Sequence, residues 1–223
     1  MGQAITLTAS DGFKLGGYRA DPSSKPKVAI VVIQEIFGVN SHIRNVCDRF
    51  AKEGYVAIAP AIFDRIEPNF QSGYSPDEVA VARKFVANPD WEAMLRDTQA
   101  AIDSVKYVGA VGIVGFCLGG SVAYAAATKL NGLSAAVGYY GGAIVRFADD
   151  KPKVPTLLHF GEKDTGISMA DVETIRSKRP DVEILVYPGA QHGFNCDERA
   201  SYDRPSADLA WQRTLAFFAK HLK

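Results

Sequence analysis

The sequence predicts an α/β fold: a mostly parallel central sheet with helices on both faces. Two observations carry this. Apolar runs of strand length, such as Lys27-Val28-Ala29-Ile30-Val31-Val32-Ile33-Gln34, are continuous rather than alternating, which marks strands buried on both faces. Segments with helical spacing of apolar residues alternate with those runs, and that alternation builds parallel sheets. A third observation concerns chemistry. Three runs end in short loops that carry a cysteine, an aspartate and a histidine, in that order. In a parallel sheet the C-terminal strand ends share one edge, so loops far apart in sequence can meet there.

The elements follow in order. Residues 5–8 and 14–19 are short β-like runs around Ser10-Asp11-Gly12, which reads as a hairpin. Residues 22–26 form a loop before the strand at 27–34. A helix is expected from Ser41, a good N-cap residue, with Ile43, Val46, Cys47 and Phe50 on its apolar face and Gly54 to end it. Cys47 falls on that face and reads as core. Residues 55–60 are the next strand. Residues 64–75 are polar, carry Gly and Pro, and read as a loop over the edge where the three polar loops meet. Helices are expected over 76–87 and 91–106, a strand over 112–115 and its helix over 120–129. Residues 133–139 are another strand. The last two strands, 155–160 and 182–187, lead to Asp164 and His192, with helices expected over 168–178 and 206–221.

Composition narrows the function. A length of 223 residues suits one domain, 1–223, better than two. A hydrophobic share of 47% with 22% charged residues is the balance of a soluble globular protein. The formal net charge of +0 gives no electrostatic footprint for nucleic acid or an anionic membrane. No apolar run is long enough to span a bilayer. Cys47, Cys117 and Cys196 are an odd, scattered set, which fits a reducing cytoplasm better than a disulfide-built secreted protein. His42, His159 and His221 have no ligand-like spacing with carboxylates or thiols, so no metal and no cofactor are expected. His159 sits inside a strand run and reads as structural. The N-terminus lacks a basic segment followed by an apolar core, so no signal peptide is expected. Met1-Gly2 with Thr6 meets the short myristoylation pattern, and a β-strand reading competes with it. The expected partner is a small molecule, and the expected assembly a monomer or small homo-oligomer.

The stretch from Val111 to Gly120 is the most informative. An apolar run enters Gly115-Phe116-Cys117-Leu118-Gly119, and small residues of helical character follow. This is the grammar of a nucleophile elbow, the strand-to-helix turn of α/β-hydrolases, with cysteine at its centre. The helix that starts there aims its amides and positive dipole end at the sulfur, which favours the thiolate, the attacking species. A buried cysteine in a glycine-rich turn is the competing reading. Gly161-Glu162-Lys163-Asp164 and Gln191-His192-Gly193 supply an acid and a histidine after later strands, in the order nucleophile, acid, histidine. Each alone has an ordinary explanation as a turn or surface residue. Together, at three strand ends, they point to nucleophilic catalysis with Cys117 as nucleophile, His192 as base and Asp164 as its orienter.

With Gln34-Glu35-Ile36-Phe37-Gly38, Gly115-Phe116-Cys117-Leu118-Gly119-Gly120, Val137-Gly138-Tyr139-Tyr140-Gly141 and His192-Gly193-Phe194, the chain resembles the dienelactone hydrolase (carboxymethylenebutenolidase) family, a cysteine-dependent branch of the α/β-hydrolase fold. The resemblance runs nearly end to end. It implies hydrolysis of a lactone or small carboxylic ester, with the backbone amides of Leu118 and Ile36 as oxyanion hole. It also implies that Glu35 contacts the resting thiol and helps to activate it, against which a structural salt-bridged glutamate competes. The family binds the substrate carboxylate with two arginines, one within His-Ser-Phe-x-Arg. Here the serine position is Gly193 and the arginine position Cys196. A thiol cannot replace a bidentate arginine. Arg199 and Arg204 could substitute from another backbone position, Arg65 and Arg83 are candidates for the other clamp, and Phe37 is a candidate contact. A thioesterase or general esterase, a binding protein that keeps the elbow, and a redox protein with Cys196 as resolving thiol are the alternative functions.

Overall fold

The computed structural model describes residues 2–26 and 28–223. Met1, with the start of the myristoylation pattern, and Lys27, the first residue of the run 27–34, lie outside the described residues. The Asp-Gly turn joins β1 (Gln3–Thr8) to β2 (Lys14–Ala20) as an antiparallel hairpin, with Gly12 at φ 83 in the left-handed region. The β-branched run forms β3 (Val28–Ile33). The strands that follow are β4 (Val56–Pro60), β5 (Ala110–Phe116), β6 (Ala135–Tyr139), β7 (Thr156–Gly161) and β8 (Glu183–Tyr187). The sheet order is β1-β2-β4-β3-β5-β6-β7-β8, and every pairing from β4 to β8 is parallel.

The helices are α1 (Ser41–Lys52), α2 (Pro76–Lys84), α3 (Trp91–Val105), α4 (Leu118–Lys129), α5 (Ile144–Phe147), α6 (Met169–Lys178) and α7 (Arg204–His221). Alternate residues of β3 divide between two cores. Ile30 and Val32 pack with Ile43, Val46 and Phe50 of α1 and Phe218 of α7. Ala29, Val31 and Ile33 pack with Ala101, Ile102 and Val105 of α3 and Val122 of α4. Both faces are covered, which is why these strands carry no polar alternation. Gly112 fits the same logic, because a Cβ there would lie 2.9 Å from side-chain atoms of Ile30, Phe218 and Leu222.

The structure corrects several boundaries. Asn40, not Ser41, caps α1 by accepting from the Ile43 amide, while Ser41 Oγ donates to Glu198 at 2.7 Å. Helix α2 ends at Lys84, three residues early, although its start is fixed by a Ser75–Glu78 capping box. Helix α4 starts at Leu118 rather than Gly120, so the nucleophile position abuts the first helical turn. The four-residue α5 has too short a pattern to read from sequence. No described helix is long and apolar enough to cross a membrane.

Candidate active site

β5 ends at Phe116 and α4 starts at Leu118, so Cys117 is the single residue between strand and helix. It is held at φ 55 and ψ −115. A non-glycine residue there carries strain on the order of 1–3 kcal/mol, sustained only by its surroundings. Those surroundings are tight. A Cβ on Gly115 would lie 1.9 Å from Gly119 O, and one on Gly119 would lie 2.3 Å from Ile33 O. Both flanking positions therefore require glycine. Cys117 N donates to Tyr139 O at 3.0 Å, which ties the elbow to the neighbouring strand. The thiol lines a cavity of about 360 Å³ together with Ile36, Leu118 and His192.

Asp164 follows β7 and His192 follows β8, both on the edge of the sheet where β5 delivers Cys117. Asp164 Oδ2 accepts from His192 Nδ1 at 2.7 Å, and its side chain is fully buried. Its Oδ1 accepts from the amides of Gly166 at 2.8 Å and Ile167 at 3.1 Å. The carboxylate is thus fixed by backbone on one side and aims its other oxygen at the ring. Burial pulls the His192 imidazole down, but the Cys117 sulfur and the Asp164 carboxylate outweigh it and raise the ring pKa to about 10. The Tyr140 ring packs 5.1 Å from the imidazole. Tyr140 itself sits at φ 38 with a buried hydroxyl that has no partner among the described residues.

Ile36 and Leu118 approach from the ends of β3 and β5, and both line the cavity. Neither amide is spent on another described residue. Two free N–H groups beside a nucleophile are what an oxyanion requires.

The substrate-binding arginines fall elsewhere. Arg65 is bound to Asp97 through Nε and Nη2, at 2.9 and 2.7 Å, and to Asp11 through Nη1 at 2.9 Å. It joins a hairpin turn to α3 and does not reach the cavity. Arg83 is exposed in the last turn of α2, also off the cavity wall. Arg204 pairs at the surface with Asp208. Phe37 is buried edge-on against Tyr74, at 4.6 Å, rather than on the wall. One arginine does line the cavity, and sequence reasoning missed it: Arg146 of α5, which enters no ion pair among the described residues. It was hidden because α5 itself was not legible. Trp91 and Ile167 give the same cavity an apolar flank.

Comparison with known proteins identifies the family. The profile described as the dienelactone hydrolase family matches residues 15–222. A Synechocystis protein provisionally named carboxymethylenebutenolidase is 39% identical over 98% of this chain and 97% of its own. The chain belongs to the dienelactone hydrolase family. With that family it is a carboxylic ester hydrolase. The crystal structure of a provisionally named dienelactone hydrolase from Klebsiella pneumoniae superposes with a TM-score of 0.84, at 33% identity, over 99% of this chain and 100% of that one. A dienelactone hydrolase-like promiscuous phosphotriesterase from metagenomic libraries shares the fold at a TM-score of 0.80 and 20% identity, over 100% of this chain and 99% of that one.

Against the dienelactone hydrolase pattern, the departures at Gly193 and Cys196 form a set with Arg199. Arg199 Nη1 donates to Glu35 Oε1 at 3.1 Å, and the Tyr74 hydroxyl donates to Glu35 Oε2 at 3.3 Å. The guanidinium reaches Glu35 by passing over Gly193, where a Cβ would lie 2.5 Å from Arg199 Nη1. Gly193 also sits at φ +77. Serine there would meet both obstacles. Glu35 is thus held by Arg199 and Tyr74, and no hydrogen bond from Cys117 to it is present among the described residues. Cys196 is fully buried near Glu35, and burial pushes its thiol up to about 12. His159 is a core residue, placed between Tyr187 Oη at 2.8 Å and Thr214 Oγ1 at 3.0 Å, with burial lowering its pKa to about 3.

Proposed function

We propose that the protein hydrolyses a lactone or small carboxylic ester through a cysteinyl acyl-enzyme, with Cys117, His192 and Asp164 as its triad. The observation that carries this is one cavity. It is lined by the strained Cys117, by Ile36 and Leu118, whose amides have no partner among the described residues, and by His192, whose Nδ1 is anchored 2.7 Å from Asp164.

In this mechanism the Cys117 sulfur attacks the carbonyl carbon and His192 holds the thiol proton. Charge develops on the carbonyl oxygen, where the two amides receive it; losing one such donor costs on the order of 3 kcal/mol of transition-state stabilisation. His192 passes its proton to the departing alkoxide, which leaves as an alcohol, or as the ring-opened hydroxyl of a lactone. The thioester then takes a water whose proton goes to His192, and the acid is released with the thiol restored. Asp164 keeps the proton-bearing Nδ1 turned away from the reaction. Glu35 is held by Arg199 and Tyr74, and its part in activating the thiol is carried over from the family resemblance. Arg146 lines the same cavity as Trp91 and Ile167 and suits a substrate with an anionic group away from the scissile bond.

The test is hydrolysis of an ester panel that includes dienelactone and p-nitrophenyl acetate, by wild type, Cys117→Ala and Arg146→Ala. Cys117→Ala is expected to abolish turnover of every ester. Arg146→Ala is expected to raise KM for anionic esters only. Turnover that survives in Cys117→Ala rules out the cysteinyl intermediate.

A further inference from the structure

We propose that Glu35, His42 and Cys196 form a binding site for a soft divalent cation, Zn2+ above all. One carboxylate oxygen, one ring nitrogen and the sulfur of these residues lie within 4.8 Å of one another, and all three residues are buried. Around tetrahedral Zn2+ such ligand atoms stand roughly 3.4–3.6 Å apart, as bond lengths of about 2.0–2.3 Å require. Side-chain adjustments of about an ångström close the difference. Thiolate with imidazole is the donor pair that prefers Zn2+ to Mg2+ or Ca2+.

His42 supplies the independent observation. Its side chain is 3% exposed, yet Nε2 has no hydrogen-bond partner among the described residues. Its Nδ1 lies 3.7 Å from Asp197 Oδ1. At that distance the contact is not a hydrogen bond, so the buried ring keeps a nitrogen lone pair available to the cluster. The three ligands come from the loop after β3, the first turn of α1 and the loop after β8. No sequence spacing could have revealed them.

Binding exchanges the Cys196 thiol proton for the metal and releases that proton to water. Arg199 occupies Oε1 of Glu35, so the carboxylate is shared between guanidinium and metal. Thiolate and carboxylate together balance the dication, and Arg199 keeps the affinity modest. A metal held there ties down Glu35 and is expected to slow turnover; that consequence rests on the role of Glu35 proposed above, while the site itself does not.

The experiment is titration of the chelator-treated full chain with Co2+ as spectroscopic probe and with Zn2+ in competition. Because Cys117 with His192 is a second thiol–imidazole pair, variants decide between them. Wild type and Cys117→Ala are both expected to show a cobalt–thiolate charge-transfer band at one equivalent, displaced by Zn2+. Cys196→Ser and His42→Gln, with folding checked by circular dichroism, are expected to bind at least about tenfold more weakly. Absence of the band in wild type overturns the proposal even if the variants fail to fold. So does a band lost in Cys117→Ala and kept in Cys196→Ser. Ester turnover by wild type without metal is read separately, so failure of the site and failure of the hydrolase reading are distinguishable.

Discussion

Asp164 uses its two oxygens differently, and that division sets what its replacement should do. Oδ1 is held by the amides of Gly166 and Ile167, and Oδ2 faces His192 Nδ1. In Asp164→Asn the amide nitrogen must meet either two backbone donors or the ring, and the ring then turns its proton to the wrong side. The variant is expected to fold and to lose kcat by on the order of 10³–10⁴-fold, as a triad with a misplaced tautomer does. Steady-state kinetics on one good ester checks this; a loss confined to KM contradicts it. At this scale the sequence was legible where backbone dictates identity. Gly115 and Gly119 are read from a local turn whose steric limits admit little else, and Cys117 from its place between them. Arg199 was legible only as a nearby alternative, because its partner is 164 residues away. That it spans Gly193 to reach Glu35 depends on how two loops pack.

Elements place the charged side chains, and Arg65 shows how. The sequence offers it only as a candidate for the second carboxylate clamp. In the fold it joins the β1–β2 turn to α3, with the Asp97 side chain fully buried beneath it. Burial pushes the Asp97 carboxyl up, and the Arg65 guanidinium works against that shift. Arg65→Ala leaves a buried carboxylate unpaired. It is expected to cost on the order of 3 kcal/mol in denaturant unfolding while kcat/KM for small esters stays unchanged. A stable variant with impaired turnover would return Arg65 to the site. Helix α1 makes a related point. Its apolar face was read correctly, with Ile43, Val46, Cys47 and Phe50 buried, because helical periodicity is local. Its cap moved by one residue because Asn40 also donates to Ser72 O and the Tyr74 hydroxyl, contacts that belong to the loop packing.

At the scale of the molecule, the parallel sheet sets the electrostatics of its own edge. Strands β5, β7 and β8 bring sulfur, carboxylate and imidazole together, and the ring pKa rises to about 10 from 6.5. A folded-state value above the unfolded one means the fold favours the protonated ring. The stability this ring contributes is fully present below pH 6.5 and is lost as pH rises through about 10. Nitrogen NMR of His192 is expected to find the ring protonated at neutral pH in wild type, and its titration midpoint lower in Cys117→Ala. A neutral ring in wild type at neutral pH contradicts the pairing. The sequence by itself determined the strand–helix alternation, the elbow, and the order in which Cys117, Asp164 and His192 leave their strands, since each depends on neighbours a few residues away. Only the tertiary structure decided which arginine meets Glu35, that Arg146 lines the cavity, and that Glu35, His42 and Cys196 converge. Those contacts join segments whose proximity follows from strand order and loop packing, and neither is written in local periodicity.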